Sequence, residues 1–324
     1  MGMRRAGAVM AFATVLLATA CGGEDSSATG TASTDGPAKV SVTTFGCEIW
    51  NTWAEAKGIY AKHGLQVEYV KSFGGSAAVA AVLSGAADFG YVNGFTAINA
   101  YNTGFPIQMV SGANVNALPP ADPAQGVFVK KGSSYKSAKD LVGKKIAVNE
   151  IGGINQIATS VWLEANGVST DQVSFVALPY AEQVNAVNGD RVAAAQMGYA
   201  LLGSGGADLR SLDDPFVALG KVYIATYVAS KTFVAQGDTA KRFNDAMVET
   251  MKQLEDPANK DESFKLLSEC SKVPAETLAA QPQNGLAPKV DFAALNDMAK
   301  KLVDLKLISK QPDLEPFVPA FARS

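Results

Sequence analysis

The segment that most constrains the fold is KKIAVNEIGGINQIATSVWLEANG, from Lys144 to Gly167. Ile146, Ala147 and Val148 predict a buried strand, and Glu150-Ile151-Gly152-Gly153 a tight bend. Ile154, Ile157, Ala158, Val161 and Ala165 then recur at helical spacing, with Gly167 as a stop. A strand that runs through two glycines into a helix leaves backbone N–H groups free beyond the bend. With the helix dipole, they favour an acceptor or an anion there. A single Gly-Gly pair could serve turn geometry alone, but the pattern recurs. Strand Leu65–Val70 leads through Phe73-Gly74-Gly75-Ser76 into a small-residue helix, Ala77–Leu83. Strand Phe89–Val92 leads through Asn93-Gly94-Phe95 into another helix, and strand Ile107–Gly112 follows. Before them come strand Val40–Phe45 and a helix from about Thr52 to Lys62. Alternating strands and helices with short links predict an α/β protein of open, parallel-type sheets with helices on both faces. In such sheets ligands sit beyond the strand carboxyl ends.

A weak internal echo predicts a second lobe of the same build. Leu83-Ser84-Gly85 leads through a strand to Asn93-Gly94-Phe95, and Val187-Asn188-Gly189 leads at the same spacing to Met197-Gly198-Tyr199. After Asp213-Asp214-Pro215, strand Val222–Ser230 reads as a return crossing, and the remainder reads as helices packing on the first lobe. The expected organisation is 38–126 plus 221–324 as lobe I and 127–220 as lobe II. Crossings near Gln125–Val129 and Lys221–Tyr227 are expected to form a hinge.

The chain opens like an exported protein. Arg4 and Arg5 precede an apolar run from Ala6 to Ala20, too short to span a bilayer, so residues 1–20 read as a signal peptide. The run ends Leu17-Ala18-Thr19-Ala20-Cys21-Gly22, close to a bacterial lipobox although Ala18 replaces the usual leucine. Cys21 is therefore expected to carry a lipid, with residues 21–37 as a disordered tether to the outer face of the cytoplasmic membrane. Cys47 and Cys270 remain, in a compartment where disulfides persist; they either pair or stay as thiols, one of which could be reactive. A net charge of −3 without a basic stripe argues against nucleic acid. A single histidine, His63, argues against a His-rich metal site. No metal or cofactor is expected.

Taken together, GIYAKHGLQVEYV, FGGSAAVAAVLSGAADFGYVNG, the Ser137–Val176 segment and AEQVNAVNGDRVAAAQMG resemble the substrate-binding lipoproteins of ABC importers in the nitrate/sulfonate/taurine-type family. That superfamily also binds thiamine precursors. The resemblance implies a two-lobed clamshell of the periplasmic-binding-protein type II kind, each lobe an open mixed sheet flanked by helices. It implies a monomer that captures a small organic solute and hands it to permease subunits. Carried over by position, the ligand-facing residues are Cys47, Glu48, Trp50, Gly75, Ser76, Asn93, Gly94, Phe95, Asn114, Gly152, Gly153, Asn155 and Tyr199. Tyr227 joins them as an aromatic candidate. Many relatives carry a Trp-acid-Pro phrase where this chain has Met197-Gly198-Tyr199, so a carboxylate for a ligand ammonium is missing there; Glu48 is the available substitute.

No arginine occurs between Cys21 and Asp190, which disfavours the bidentate clamp an amino-acid carboxylate needs. Helix N-termini contribute about 0.3–1 kcal/mol each, up to about 2 when partly buried, against about 8 kcal/mol for micromolar binding. Side-chain hydrogen bonds and aromatic burial must therefore supply the rest. An alkyl or aryl sulfonate or carboxylate fits this reading, and a pyrimidine of the thiamine-precursor type is the alternative. An alternative of another class is a desulfinase-like enzyme with Cys47 as nucleophile. Against it, no cationic neighbour is evident to lower the thiol pKa.

Overall fold

The computed structural model describes residues 36–324 apart from 117, 118, 120, 121 and 203, and Pro37–Ser324 forms one compact unit. The expected signal peptide, the Cys21 lipid site and nearly all of the tether lie outside the described residues. Among the described residues, no helix is long and apolar enough to cross a membrane.

Lobe I opens with β1 (Ala38–Thr44), α1 (Ile49–Ala56), α2 (Ile59–Lys62), β2 (Leu65–Lys71), α3 (Gly75–Ser84), β3 (Phe89–Val92), α4 (Gly94–Asn102) and β4 (Ile107–Val115). Lobe II follows with β5 (Gln125–Lys130), β6 (Lys145–Val148), α5 (Ile154–Ala165), β7 (Ser174–Ala177), α6 (Tyr180–Asn188), β8 (Ala194–Gly198) and β9 (Leu209–Ser211). The chain returns through β10 (Tyr223–Ser230) to α7 (Lys231–Ala235), α8 (Thr239–Leu254), α9 (Lys260–Ser271), α10 (Ala275–Ala279), β11 (Gly285–Leu286) and α11 (Phe292–Asp304). The single helix expected over 52–62 is two, split at Gly58.

Both sheets are mixed rather than parallel throughout. The first runs β11-β4-β10-β3-β1-β2 and the second β7-β6-β8-β5-β9. Strands linked through a helix pair in parallel, as β1 does with β2 and β6 with β7. The crossing strands arrive without a crossover helix and insert antiparallel, β10 between β3 and β4, and β5 between β8 and β9. The segments expected as hinge are thus largely sheet. The connections between lobes lie between Val115 and Gln125 and between Ser211 and Tyr223. Asn116 ties the two together: its Oδ1 accepts from Val222 N at 2.9 Å and its Nδ2 donates to Gly220 O at 3.0 Å.

Each sheet buries both faces. On one side of the first sheet Phe95, Ile98, Val228, Leu295 and Met298 share a core; on the other, Trp50, Trp53, Tyr60, Phe89, Phe243 and Met247 do. In the second, Val127, Ile146, Trp162 and Leu163 fill one face and Phe128, Ala147, Val187 and Met197 the other. The helical tail packs on lobe I, and Cys47 is bonded to Cys270 of α9 across 223 residues of chain, with Cα atoms 5.9 Å apart.

In the return connection, Asp214 is buried and accepts from Phe216 N at 2.8 Å. Burial pushes its carboxyl from 3.8 to about 6. The folded chain therefore holds this proton more tightly than the unfolded chain. The resulting stability is fully present below about pH 4 and is lost as pH rises through 6. Asp214→Asn keeps the acceptor and removes the buried charge. Its thermal melts are expected to show a gain of about 1–2 kcal/mol over wild type at pH 8, shrinking towards zero at pH 4.5. A pH-independent difference would contradict the assignment.

Candidate functional site

The candidate site lies where the two glycine-cornered helices of opposite lobes meet. Helix α3 begins at Gly75 with no side-chain cap and no acidic residue in its first turn. Its leading amides would be orphans. They are met instead from lobe II: Gly75 N and Ser76 N donate to the two oxygens of Glu150 at 3.1 and 3.0 Å. Glu150 stands between β6 and α5, just before the bend at Gly152, whose positive φ of 77° turns the chain. Helix α4, by contrast, is capped by its own Asn93, whose Oδ1 accepts from Thr96 N at 2.9 Å.

Apolar contact closes the same seam. Ile154, Ile157 and Ala158 of α5 join one core with Phe95 and Ile98 of lobe I and Phe216 and Leu219 of the return connection. Tyr91 belongs to β3 of lobe I and Tyr180 to α6 of lobe II. Burial raises the Tyr91 hydroxyl well above 10, with Glu48, Tyr227 and Tyr180 adding to it. Burial also raises Tyr180, to about 12, against a lowering hydrogen bond from Asn155, with the Glu150 charge adding a further rise. Phe45 packs edge-on against Tyr91 at 5.0 Å between centroids.

The remaining expected residues fall into different settings. Asn155 is buried on α5 and its Nδ2 donates to Tyr180 OH at 3.1 Å and Gln196 O at 3.3 Å. Gly153 follows the bend with its amide facing Glu150 O at 3.4 Å. Glu48 precedes α1, and burial pushes its carboxyl above 4.5. It accepts from Thr44 Oγ1 at 2.5 Å, Phe45 N at 3.0 Å and Asn51 Nδ2 at 3.2 Å, so it braces its own loop. Trp50 is 6% exposed, and its Nε1 donates to the OH of fully buried Tyr227 at 2.9 Å. Phe95 lies in the lobe I core, and Gly94 is walled by Met298 and Tyr223. Tyr199 packs on Phe128 and lines a hollow of about 250 Å³ with Pro119, Pro123, Asp213 and Asp214, on the connection side. Cys47, being disulfide-bonded, presents no thiol, and His63 is engaged with Glu249 at 2.9 Å. Among the described residues, no group of three or more His, Cys, Asp or Glu side chains is placed to hold a metal.

Three residues of this site were missed by sequence reasoning. Glu150 reads in the sequence only as part of a bend and Tyr91 only as part of a strand, and no local signal marks Tyr180. Among the described residues, the buried oxygens Asn114 Oδ1 and Gln196 Oε1 have no hydrogen-bond partner.

The profile of the NMT1/THI5 like family matches residues 52–259. The chain belongs to this family. A protein of Brucella abortus (strain 2308) that carries the provisional name of a binding protein is 27% identical over 241 residues, 72% of this chain and 70% of the relative. The alkanesulfonate-binding protein SsuA of Xanthomonas axonopodis pv. citri, solved bound to MOPS, superposes with a TM-score of 0.72 at 19% identity. That match covers 88% of this chain and 99% of SsuA. The periplasmic nitrate-binding protein NrtA of Synechocystis PCC 6803 gives a TM-score of 0.66 at 16% identity over 84% of this chain and 82% of NrtA. The fold is that of the periplasmic binding proteins, two mixed α/β lobes joined by two connections.

Proposed function

We propose that this NMT1/THI5-like protein is the extracytoplasmic solute receptor of an ABC importer. In this reading it is held at the membrane by lipidated Cys21, takes a small organic anion between its lobes and passes it to the permease without transforming it. The observation that carries the ligand class is the carboxylate of Glu150 on the Gly75 and Ser76 amides. A carboxyl group already fits that seat, so a sulfonate or carboxylate head would fit it too. The dipole of the ten-residue α3 favours such a charge. Tyr91, Tyr180 and Phe45 offer an aromatic surface for the body of the solute. The disulfide and the family membership support an exported receptor, and the engaged sulfur of Cys47 speaks against a desulfinase-like reaction.

A second reading, a neutral pyrimidine, is favoured by Asn114 Oδ1 and Gln196 Oε1, buried acceptors that want an N–H partner. A thermal-shift panel of alkyl and aryl sulfonates, aryl carboxylates and aminopyrimidines on the mature protein separates the two. At a hundredfold excess over Kd, a true ligand adds about 2.7 kcal/mol, a rise of several degrees. Stabilisation by the acids supports the anion reading, and stabilisation by aminopyrimidines alone replaces it.

A further inference from the structure

We infer that Glu150 is a built-in competitor: its carboxylate takes the anion seat at the start of α3, joins the two lobes there, and must give way to an anionic solute that binds the same amides. This rests on the anion reading above and deepens it. Glu150 belongs to lobe II, and the two amides that donate to its oxygens, those of Gly75 and Ser76, belong to lobe I, 75 and 74 residues away in sequence. It is a hydrogen-bonded bridge across the cleft formed by a charged group. The seat is shaped for it: a Cβ added at Gly74 would lie 3.3 Å from Glu150 Cδ, so the bare glycine leaves the carboxylate its room. The helix it caps has no cap of its own, although its neighbour α4 does. Without Glu150 or a solute, the leading amides of α3 must turn to water.

The consequence is a threshold on ligand chemistry. A neutral solute gains nothing at these amides, because it would exchange a carboxylate for a weaker acceptor. An anion exchanges like for like and adds its own contacts, so it can displace Glu150, although the competition weakens its binding. A bridge that favours the joined lobes also lowers the population of the open, loading-competent state, which weakens apparent affinity by the fraction open.

The test uses the mature full chain and two substitutions on opposite sides of the bridge. Glu150→Gln removes the charge; Ser76→Pro removes one donor at the second helical position, where proline is tolerated. Small-angle scattering without solute is expected to give a larger radius of gyration for both variants than for wild type. Calorimetry with methanesulfonate is expected to give opposite signs. Glu150→Gln should bind about 5- to 30-fold more tightly, the range that a partly buried carboxylate at a helix terminus can impose, and Ser76→Pro should bind more weakly than wild type. Radii equal to wild type in both variants overturn the bridge. Weaker methanesulfonate binding in Glu150→Gln also overturns it, making Glu150 a ligand-holding group. If the radii increase but no form binds methanesulfonate or any acid of the panel, the bridge stands and the anion reading falls.

Discussion

Replacing Cys47 and Cys270 together by serine is expected to lower the stability of the protein by several kcal/mol while leaving solute binding within a fewfold of wild type. The bridge spans 223 residues of sequence, so it removes a large amount of freedom from the unfolded chain. Loop-closure entropy for a ring of that length corresponds to about 5 kcal/mol at 25 °C, an upper figure because residual structure in the unfolded chain reduces it. Around the bridge the packing is thin: Phe264, Leu267 and Leu278 form a small cluster of their own, with Cys47 and Ile49 only partly buried against it. Besides this packing, α9 is tied to the end of α1 by the Lys57–Glu262 ion pair at 2.6 Å, which is exposed and so contributes little; the loss is therefore made up locally only in small part. A drop in melting temperature on the order of 10 °C is expected, and dithiothreitol should reproduce it in wild type. A folded double variant that has lost all solute binding would return Cys47 to the site. An unchanged melting temperature would mean that the ring contributes nothing.

What could be read in the sequence was whatever is encoded by local spacing. Strand Phe89–Val92 and helix Ile154–Ala165 have the limits that apolar periodicity and flanking residues suggest. The antiparallel entry of β5 and β10 could not be read that way, since nothing in a strand's own residues says from which lobe it arrives. Glu150 illustrates the same limit at the site. Three residues before a Gly-ended turn it looks like a local turn residue, yet its partners are amides in the opposite lobe, and no spacing rule reports them. Trp50 misleads in the opposite direction. Its neighbours Glu48 and Asn51 are polar, which suggests an exposed loop. In the folded chain those groups bond to Thr44, Phe45, Tyr60 and Tyr227, so the loop is satisfied internally and the indole is buried.

Gly112→Ala is expected to destabilise lobe I by about 3 kcal/mol or more, although it adds one methyl group to a strand. Gly112 lies on β4 opposite Thr226 of β10, where the pairing register shifts. The chain between β11 and α11 crosses directly over it. Gly112 N donates to Pro288 O at 2.9 Å, and Tyr223 OH donates to Lys289 O at 3.0 Å, fastening the crossing segment to the sheet. A Cβ at position 112 would lie 2.1 Å from Ala287 O and 3.0 Å from the Tyr223 ring. The first neighbour is backbone, itself held because Ala287 N donates to Ala113 O at 2.9 Å. Relief therefore requires lifting the segment and giving up several of these bonds, at about 1 kcal/mol each. Because α11 follows and its Leu295 and Met298 share the core with Phe95 and Ile98, the displacement should spread into the face that carries α4. A lowered melting temperature together with faster amide exchange in α11 is the expected result. A variant as stable as wild type would show that the crossing segment is not pinned to β4.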